Sequence, residues 1–357
     1  MGLIRLDIHS VRNIQKQTLQ PCPAVNFLIG ENASGKSSFI EAIYILGRAK
    51  SFRSASIKTV ITTGQDHLIV TAQTAHADGV SHLGIKLDGK NFAIRVDKQT
   101  KQKRSDLAYA LPLQLIHPKS YELLDAGPQL RREFLDWGVF NSDEQFLPAW
   151  RKFKKALSQR NALLKSRSVR QLNVWDKELL NYGTIVNVCR QQYLEKFKPV
   201  FLSIANQFLS VDNIDINFFP GWNTGLPLLQ ILQDDVEKDL RYGFTRSGPH
   251  RADFYLMVSE RLARDFVSRG QAKLLVLSLK LAQVQLLLNE KSDAGCILID
   301  DFAAELDVFN RAKLLAYLAA MQCQVFITAT NKTDLGDLSQ LDSYKMFHVE
   351  QGHINPL

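Results

Sequence analysis

No run of 18 consecutive apolar residues occurs in the 357-residue sequence, so nothing in it reads as a membrane-spanning helix. The longest candidate, Leu274 to Leu288, is interrupted by Lys280, Gln283 and Gln285 and reads as a core helix. Arg5 and Asp7 stand where a secretory signal needs an apolar core. Cysteine is scarce: Cys22, Cys189, Cys296 and Cys323 share no disulfide or metal-ligand spacing, which suits a reducing cytoplasm. Internal repeats, low-complexity tracts and sustained heptads are also missing, which excludes solenoids and coiled-coil arms. Acidic charge is in deficit, with 36 carboxylates against 44 Lys and Arg, a net charge of +8. That balance favours a polyanionic partner without proving one.

What is present begins with GENASGKS, residues 30 to 37. Gly30, Gly35, Lys36 and Ser37 fill G-x-x-x-x-G-K-[ST], a loop whose backbone N–H groups cradle phosphates. The loop must follow a strand and open a helix. Ala24 to Ile29 is an apolar run of strand length. Phe39, Ile40, Ile43, Tyr44 and Leu46 recur at helical spacing, with Gly47 as a fitting stop. In this reading Glu31, Asn32, Ala33 and Ser34 complete the loop around ATP, Lys36 bridges the β- and γ-phosphates, and the Ser37 hydroxyl holds Mg²⁺.

The first hundred residues alternate like strands: Leu3 to His9, with Ile4, Leu6 and Ile8 on one face, then 57–62, 68–74, 83–87 and 92–96. From about 119 to 210 the spacing becomes helical, after Pro112, Pro118 and the Gly127-Pro128 pair. Residues 269 to 290 predict one long helix, and 297–300, 324–329 and 344–350 return to strands. The chain is therefore α/β. A strand-rich ATPase lobe, residues 1–112 with 293–357, is split by a mainly helical lobe, 113–292.

A P-loop enzyme needs a carboxylate at the end of a neighbouring strand. CILIDD, residues 296 to 301, supplies it: Asp300 to hold Mg²⁺ through water, and Asp301 to position or deprotonate an attacking water. At the entrance of the long helix, VSRGQAKLL places Ser268, Gly270 and Gln271, a second anion-binding helix start. Two such starts in one chain suit a nucleotide gripped by one copy and lidded by another. Residues 151 to 170 hold eight basic residues and no acid. Lys152, Lys154, Lys155, Arg160 and Lys165 are the candidates there for DNA phosphates, although a merely solvated face would read the same. Trp137, Trp150 and Trp175 fall in helical runs and read as packing rather than base-stacking platforms. His250 has no partner at ligand spacing and reads as a turn or interface residue.

The order P-loop, S-x-G-Q helix, I-D-D strand and E-L-D resembles the ABC-type ATPase heads of the SMC superfamily. IRLDIHSVRNIQ, NFLIGENASGKSSFIEAIYILG, SFRS, GPQLRREFLDW, RSGPHRADF, LSLKLAQ and LIDDFAAELD together resemble the RecF family of bacterial recombination mediators across the whole chain. The resemblance implies an ABC-type P-loop ATPase head with an inserted helical lobe. It places Asp300 in the Walker B role, Ser268, Gly270 and Gln271 in the signature motif contacting ATP across a dimer, and Asp307 in the D-loop. Arg12 to Ile14 would pack near the base or phosphates, and Gln114 is a candidate Q-loop residue.

The same resemblance implies a cytoplasmic, weakly active, DNA-stimulated ATPase that dimerises on ATP. It implies preference for gapped or junction DNA, and work with RecR and RecO to load RecA onto single-stranded DNA. Roles in replication-fork maintenance and SOS induction follow. Three residues depart from the general ABC pattern: Arg269 for a signature glycine, Asp301 for glutamate, and Thr330 for the switch histidine. All three point to slow hydrolysis. A transporter's nucleotide-binding subunit shares both anion sites but not the long basic insert. An SMC-type head needs the missing arms, and a P-loop kinase has no use for a signature helix.

Overall fold

The computed structural model describes residues 2–76, 79–97, 99–291 and 295–357. The chain divides into two units, 1–120 with 288–357, and 121–287. The sequence put these boundaries at 112/113 and 292/293, the second of which lies outside the described residues. The first unit keeps the chain past 112 because the strand Leu113–Ile116 pairs in parallel with Cys296–Ile299.

The first unit opens with β1 (Gly2–Val11), β2 (Ile14–Leu19), β3 (Val25–Ile29), α1 (Lys36–Arg48), β4 (Leu68–His76), β5 (Gly79–Leu87), β6 (Phe92–Val96), β7 (Gln99–Lys101), α2 (Arg104–Ala110) and β8 (Leu113–Ile116). The second unit holds α3 (Glu122–Asp125), α4 (Pro128–Ser142), α5 (Phe146–Lys165), α6 (Leu172–Phe208), β9 (Ile214–Phe219), α7 (Leu228–Asp234), α8 (Val236–Tyr242), β10 (Asp253–Val258), β11 (Arg261–Leu262), α9 (Ala263–Phe266) and α10 (Arg269–Glu290). The first unit closes with β12 (Cys296–Ile299), α11 (Phe302–Glu305), α12 (Val308–Ala320), β13 (Gln324–Ala329), β14 (Tyr344–Glu350) and β15 (His353–Pro356).

Two six-stranded sheets build the first unit. One is antiparallel, in the order β2-β1-β4-β5-β6-β7. The other runs β15-β14-β3-β13-β12-β8, parallel except for β15. α1 lies between them and is buried almost all round, with Phe39, Ile40, Ile43, Ile45 and Leu46 fully buried in the core that both sheets share. A helix buried on every side needs no polar stripe. β3, β12 and β13 are likewise buried at every residue; β12 is a continuous apolar run, and Asn26, Gln324 and Thr328 are the polar exceptions in the other two.

Three details differ from the sequence reading. In β1 the buried residues are Leu3, Leu6, Ile8 and Val11, while Ile4 is exposed, because a bulge between Leu3 and Arg5 shifts the alternation. Residues 57–62 form no strand but a 3₁₀ turn, Ile57–Thr59, and a lone bridge from Ile61 to Val11. There the Thr59 and Val60 carbonyls accept from Arg12's guanidinium and backbone N–H instead of from a ladder. Gly47 does not stop α1: it lies inside the helix, where a Cβ would meet Leu113 Cδ1 at 2.5 Å. Ala49 takes the left-handed capping position.

In the second unit α5 and α6 pair along their lengths beside the three-stranded antiparallel sheet β11-β10-β9. α10 is long and apolar enough to cross a bilayer by length and composition, with a mean hydropathy of 1.3, yet 67% of that stretch is buried within the protein.

Candidate functional site

β3 delivers the P-loop at the C-terminal edge of the parallel sheet. A Cβ on Gly30 would stand 2.1 Å from the Val349 carbonyl oxygen, so only glycine fits under β14. The loop is clamped from outside itself. The Ser34 carbonyl accepts from the Gly352 N–H at 2.7 Å and from Asn13 Nδ2 at 3.1 Å. Asn13 Oδ1 in turn accepts from the Ser38 hydroxyl at 3.0 Å. The segment Arg12 to Ile14 thus supports the loop, and Asn13 is its working residue. Gly35, at φ 118°, turns the chain into α1, a conformation open to glycine at little cost. No side chain caps the first turn of α1 and no acid sits in it, so its dipole and amides remain directed at an anion. Glu31, Asn32 and Ala33 are exposed at the loop's crest. The Ser34 hydroxyl is buried without a hydrogen-bond partner.

Lys36 folds back over this loop, donating to the Gly30 and Glu31 carbonyls at 2.6 and 2.7 Å. Burial pulls its ammonium below the ordinary lysine value, while Asp300 and Asp301 oppose that pull. A desolvated cation on carbonyl oxygens is readily transferred to a phosphate, which offers full charge.

The carboxylates lie along the same edge. Asp300 follows β12, is 7% exposed, and accepts through Oδ1 from the Ser37 and Thr328 hydroxyls, each at 2.9 Å. β12 does not neighbour β3 as the sequence suggested: β13 lies between them, and its Thr328 bridges the gap. Thr328 also accepts from the Asp301 N–H at 2.8 Å. The sequence signal for it was a hydroxyl inside the apolar run QVFITA, since a buried polar group must find a partner. Burial raises the Asp300 carboxyl above its usual range, opposed by these two hydroxyls. Asp301 is exposed in a left-handed conformation, φ 58° and ψ 60°, a placement that aims a short carboxylate out of the strand end. The hydroxyl and carboxylate oxygens of Ser37 and Asp300 are a hard donor set that suits Mg²⁺.

Gln114 is not at this edge. It pairs with Ile297 in β8, three residues before Asp300 on the opposing strand, or roughly 10 Å down the sheet. Glu41 went unremarked in the sequence. It is fully buried in α1 and held by Arg12 through two contacts at 2.8 and 2.9 Å, by the Ser51 hydroxyl, and by Arg53 at 3.9 Å. SFRS therefore ties residues 51–54 to the P-loop helix.

At the start of α10 the Ser268 N–H donates to Gln271 Oε1 at 2.9 Å, and the Gln271 N–H donates to Ser268 Oγ at 3.3 Å. This reciprocal pair is a capping box. Ser268, Arg269 and Gly270 are all exposed, and a Cβ on Gly270 would meet nothing closer than Ser268 Oγ at 3.9 Å. Asp307 is exposed and caps α12, accepting from the Asn310 N–H at 2.8 Å.

On α5, Lys152, Lys154, Lys155 and Lys165 are exposed. Arg160 is not a DNA contact. It is fully buried, paired with Asp176 at 2.6 Å and Asp239 at 2.5 Å. It falls on the helix's inner face with Phe153, Ala156 and Leu164, a face that periodicity shows but a count of charges does not. Trp137 is buried, and Trp150 stacks between Phe146 and Phe153. His250 donates through Nε2 to the Thr245 carbonyl at 2.9 Å, inside a turn of the second unit.

Comparison with known proteins gives one answer. The family described as "RecF/RecN/SMC N terminal domain" matches residues 2–355. The "DNA replication and repair protein RecF" of Pseudomonas aeruginosa (strain LESB58) is 39% identical, the match covering 99% of this chain and 98% of that protein. Its counterpart in Shewanella denitrificans is 40% identical, covering 99% of each. A solved structure of "the recombination mediator protein RecF-ATP in RecFOR pathway" superposes with a TM-score of 0.89 at 27% identity, covering 99% of this chain and 97% of that one. An SMC head domain from Pyrococcus furiosus reaches a TM-score of 0.59 at 14% identity over 100% of this chain and 96% of that one, a likeness of fold alone.

Proposed function

The chain belongs to the RecF/RecN/SMC N-terminal-domain family, and on that premise we propose that it is a RecF-type recombination mediator: an ATPase that closes as a dimer on DNA and reopens on hydrolysis. The observation that carries this reading is the meeting of the Ser37 hydroxyl and the Asp300 carboxylate, 2.9 Å apart, at the uncapped start of α1. The amides of residues 31–37 bind the β- and γ-phosphates. Lys36 exchanges its two carbonyl partners for phosphate oxygens. Ser37 and Asp300 would hold Mg²⁺, which would supply neutralisation of phosphate charge. Asp301 orients the attacking water. Its carboxylate is one methylene shorter than glutamate, and Thr330 cannot titrate, so proton transfer is slow. The result is a timer rather than a motor.

The second half of the site comes from another copy. Ser268 and Gly270 are exposed and Gln271 is half-buried, and together they present a helix start to a γ-phosphate held elsewhere. ATP then binds the dimer more tightly than the separate copies, so it stabilises closure by mass action, and hydrolysis withdraws that stabilisation. Lys152, Lys154, Lys155 and Lys165 supply sequence-independent phosphate contacts. Gapped or junction DNA as substrate, RecR and RecO as partners, RecA loading on single strands, DNA-stimulated hydrolysis, roles in replication-fork maintenance and SOS induction, and a cytoplasmic setting complete the reading.

The test is the size of the full-length protein by light scattering, with and without ATP and a DNA junction, for the wild type and Ser268→Arg. A wild-type dimer on ATP, lost in Ser268→Arg while the variant still binds nucleotide, is expected. A wild type that stays monomeric at saturating ATP on DNA rules the clamp out.

A further inference from the structure

Between Leu240 and Ala252 the chain carries Arg241, Arg246, His250 and Arg251 and no acid. Two large aromatic residues in this stretch are left in solvent: Tyr242 is 55% exposed and Phe244 38%. Gly243, left-handed at φ 74°, ends α8 and turns the chain between them, which brings their ring centroids to 6.0 Å at a tilt of 43°. Each ring carries its own guanidinium. Arg246 lies 5.2 Å from the centre of Tyr242, and Arg251 5.1 Å from that of Phe244.

The turn that bears this pair is fixed from beneath by buried groups. Asn161 Oδ1 accepts from both the N–H and the hydroxyl of Thr245, at 2.8 and 2.7 Å. Arg160 donates to the Thr245 hydroxyl at 2.9 Å, and its partner Asp239 accepts the Arg246 N–H at 3.1 Å. The Arg160 cluster is therefore the foundation of the turn. It also removes Asp239 from the surface, where it would repel phosphate.

We propose that Tyr242 and Phe244, with Arg246 and Arg251, form a pre-organised stacking platform for the bases of single-stranded DNA. Exposed aromatic faces take successive bases irrespective of sequence, while guanidinium groups take the phosphates between them. The platform runs on into the basic face of α5, since Lys165 Cγ lies 3.4 Å from where a Gly243 Cβ would be. A surface that stacks unpaired bases beside one that grips phosphates fits the junction between single and double strands. The inference rests on the DNA-binding reading above and adds where the single strand lies.

The experiment measures anisotropy of a labelled oligo-dT and of a blunt duplex with the full-length, ATP-loaded protein. Tyr242→Ala with Phe244→Ala is expected to weaken oligo-dT binding at least about fivefold per ring while duplex affinity changes less than about twofold. Arg246→Ala with Arg251→Ala should flatten the salt dependence on oligo-dT by about 0.7 per lost phosphate contact. Phe244→Trp should preserve binding and show indole quenching as oligo-dT is added. Oligo-dT affinity unchanged in the aromatic double variant overturns the platform and assigns the patch to a protein contact. Equal losses on both DNAs also overturn it, since stacking spares paired bases. Failure of the wild type to bind either DNA sinks the proposed function as well, so the two failures are told apart.

Discussion

Two helix starts in this molecule use the same physics and are finished differently. The start of α1 has no side-chain cap, and its loop is braced by Asn13, by the Gly352 N–H and by the close approach of Val349, with Asp300 reaching in from β12. The start of α10 is capped by its own Ser268 and Gln271 and lies open to solvent. A braced, uncapped helix start is a complete phosphate cradle within its own unit. An open, self-capped one is a stable helix end that still has room for an anion brought by another molecule. On the proposed function, that contrast is what would separate a nucleotide-binding site from a nucleotide-sensing one.

The strongest test of the contrast acts on the braced side. Asp300→Asn keeps an oxygen for the Ser37 and Thr328 hydroxyls but removes the charge. Hydrolysis should fall by about 10²–10³-fold, the effect of losing one electrostatic stabiliser, with ATP still bound, as read by single-turnover assay and nucleotide titration. The folded state holds the Asp300 carboxyl above its usual range. Between the unfolded and folded values the folded state binds more protons, so this group's stability contribution is lost as pH rises through that window. On the high-pH side of that window the group opposes folding of the nucleotide-free protein, and Asp300→Asn, neutral throughout, should there be the more stable to denaturant. A variant less stable than wild type would mean that Asp300 is a structural ion rather than a cost carried for function. Lys36→Arg, similar in charge but different in shape, should impair hydrolysis more than binding.

The next effect is smaller and concerns space. Gly30→Ala puts a Cβ 2.1 Å from a backbone oxygen, which β14 cannot yield cheaply. Overpacking of this kind costs about 1–3 kcal/mol, so its denaturation midpoint should fall and nucleotide affinity with it. A fully stable Gly30→Ala would show that the brace is soft.

How much of this was legible beforehand depended on whether a signal was local. GENASGKS, the apolar run before Asp300, the strand 324–329 and the helix 269–290 are local patterns, and each appears where the sequence put it. The misreadings needed tertiary knowledge. Ile4 changes face because of one bulge, Gly47 serves helix packing rather than helix ending, and β13 inserts between two strands that looked adjacent. Arg160 was grouped with its lysine neighbours by charge, although its place on the apolar stripe of α5 set it inside. Asn13 is a single polar residue whose partner lies far along the chain, and Thr328 showed only as a hydroxyl inside an apolar run, with nothing in the spacing to name the carboxylate it meets.

The smallest effect probes the open side. Among the described residues nothing demands a glycine at 270: its hypothetical Cβ is 3.9 Å from the nearest atom outside its own helix backbone and chain neighbours. Alanine near a helix start stabilises by up to about 1 kcal/mol relative to glycine. Gly270→Ala should therefore fold as well as wild type or slightly better, and each copy should bind ATP normally. If the glycine exists to let another copy's phosphate approach the helix start, the same methyl should still raise the protein concentration needed for ATP-driven dimerisation. Pairing this variant with Gly30→Ala separates the two helix starts cleanly. One methyl injures the fold and the other injures only assembly. A Gly270→Ala protein that dimerises on ATP at wild-type concentrations would leave the open helix start as an ordinary capped end, and the lid would have to be sought elsewhere on the second unit.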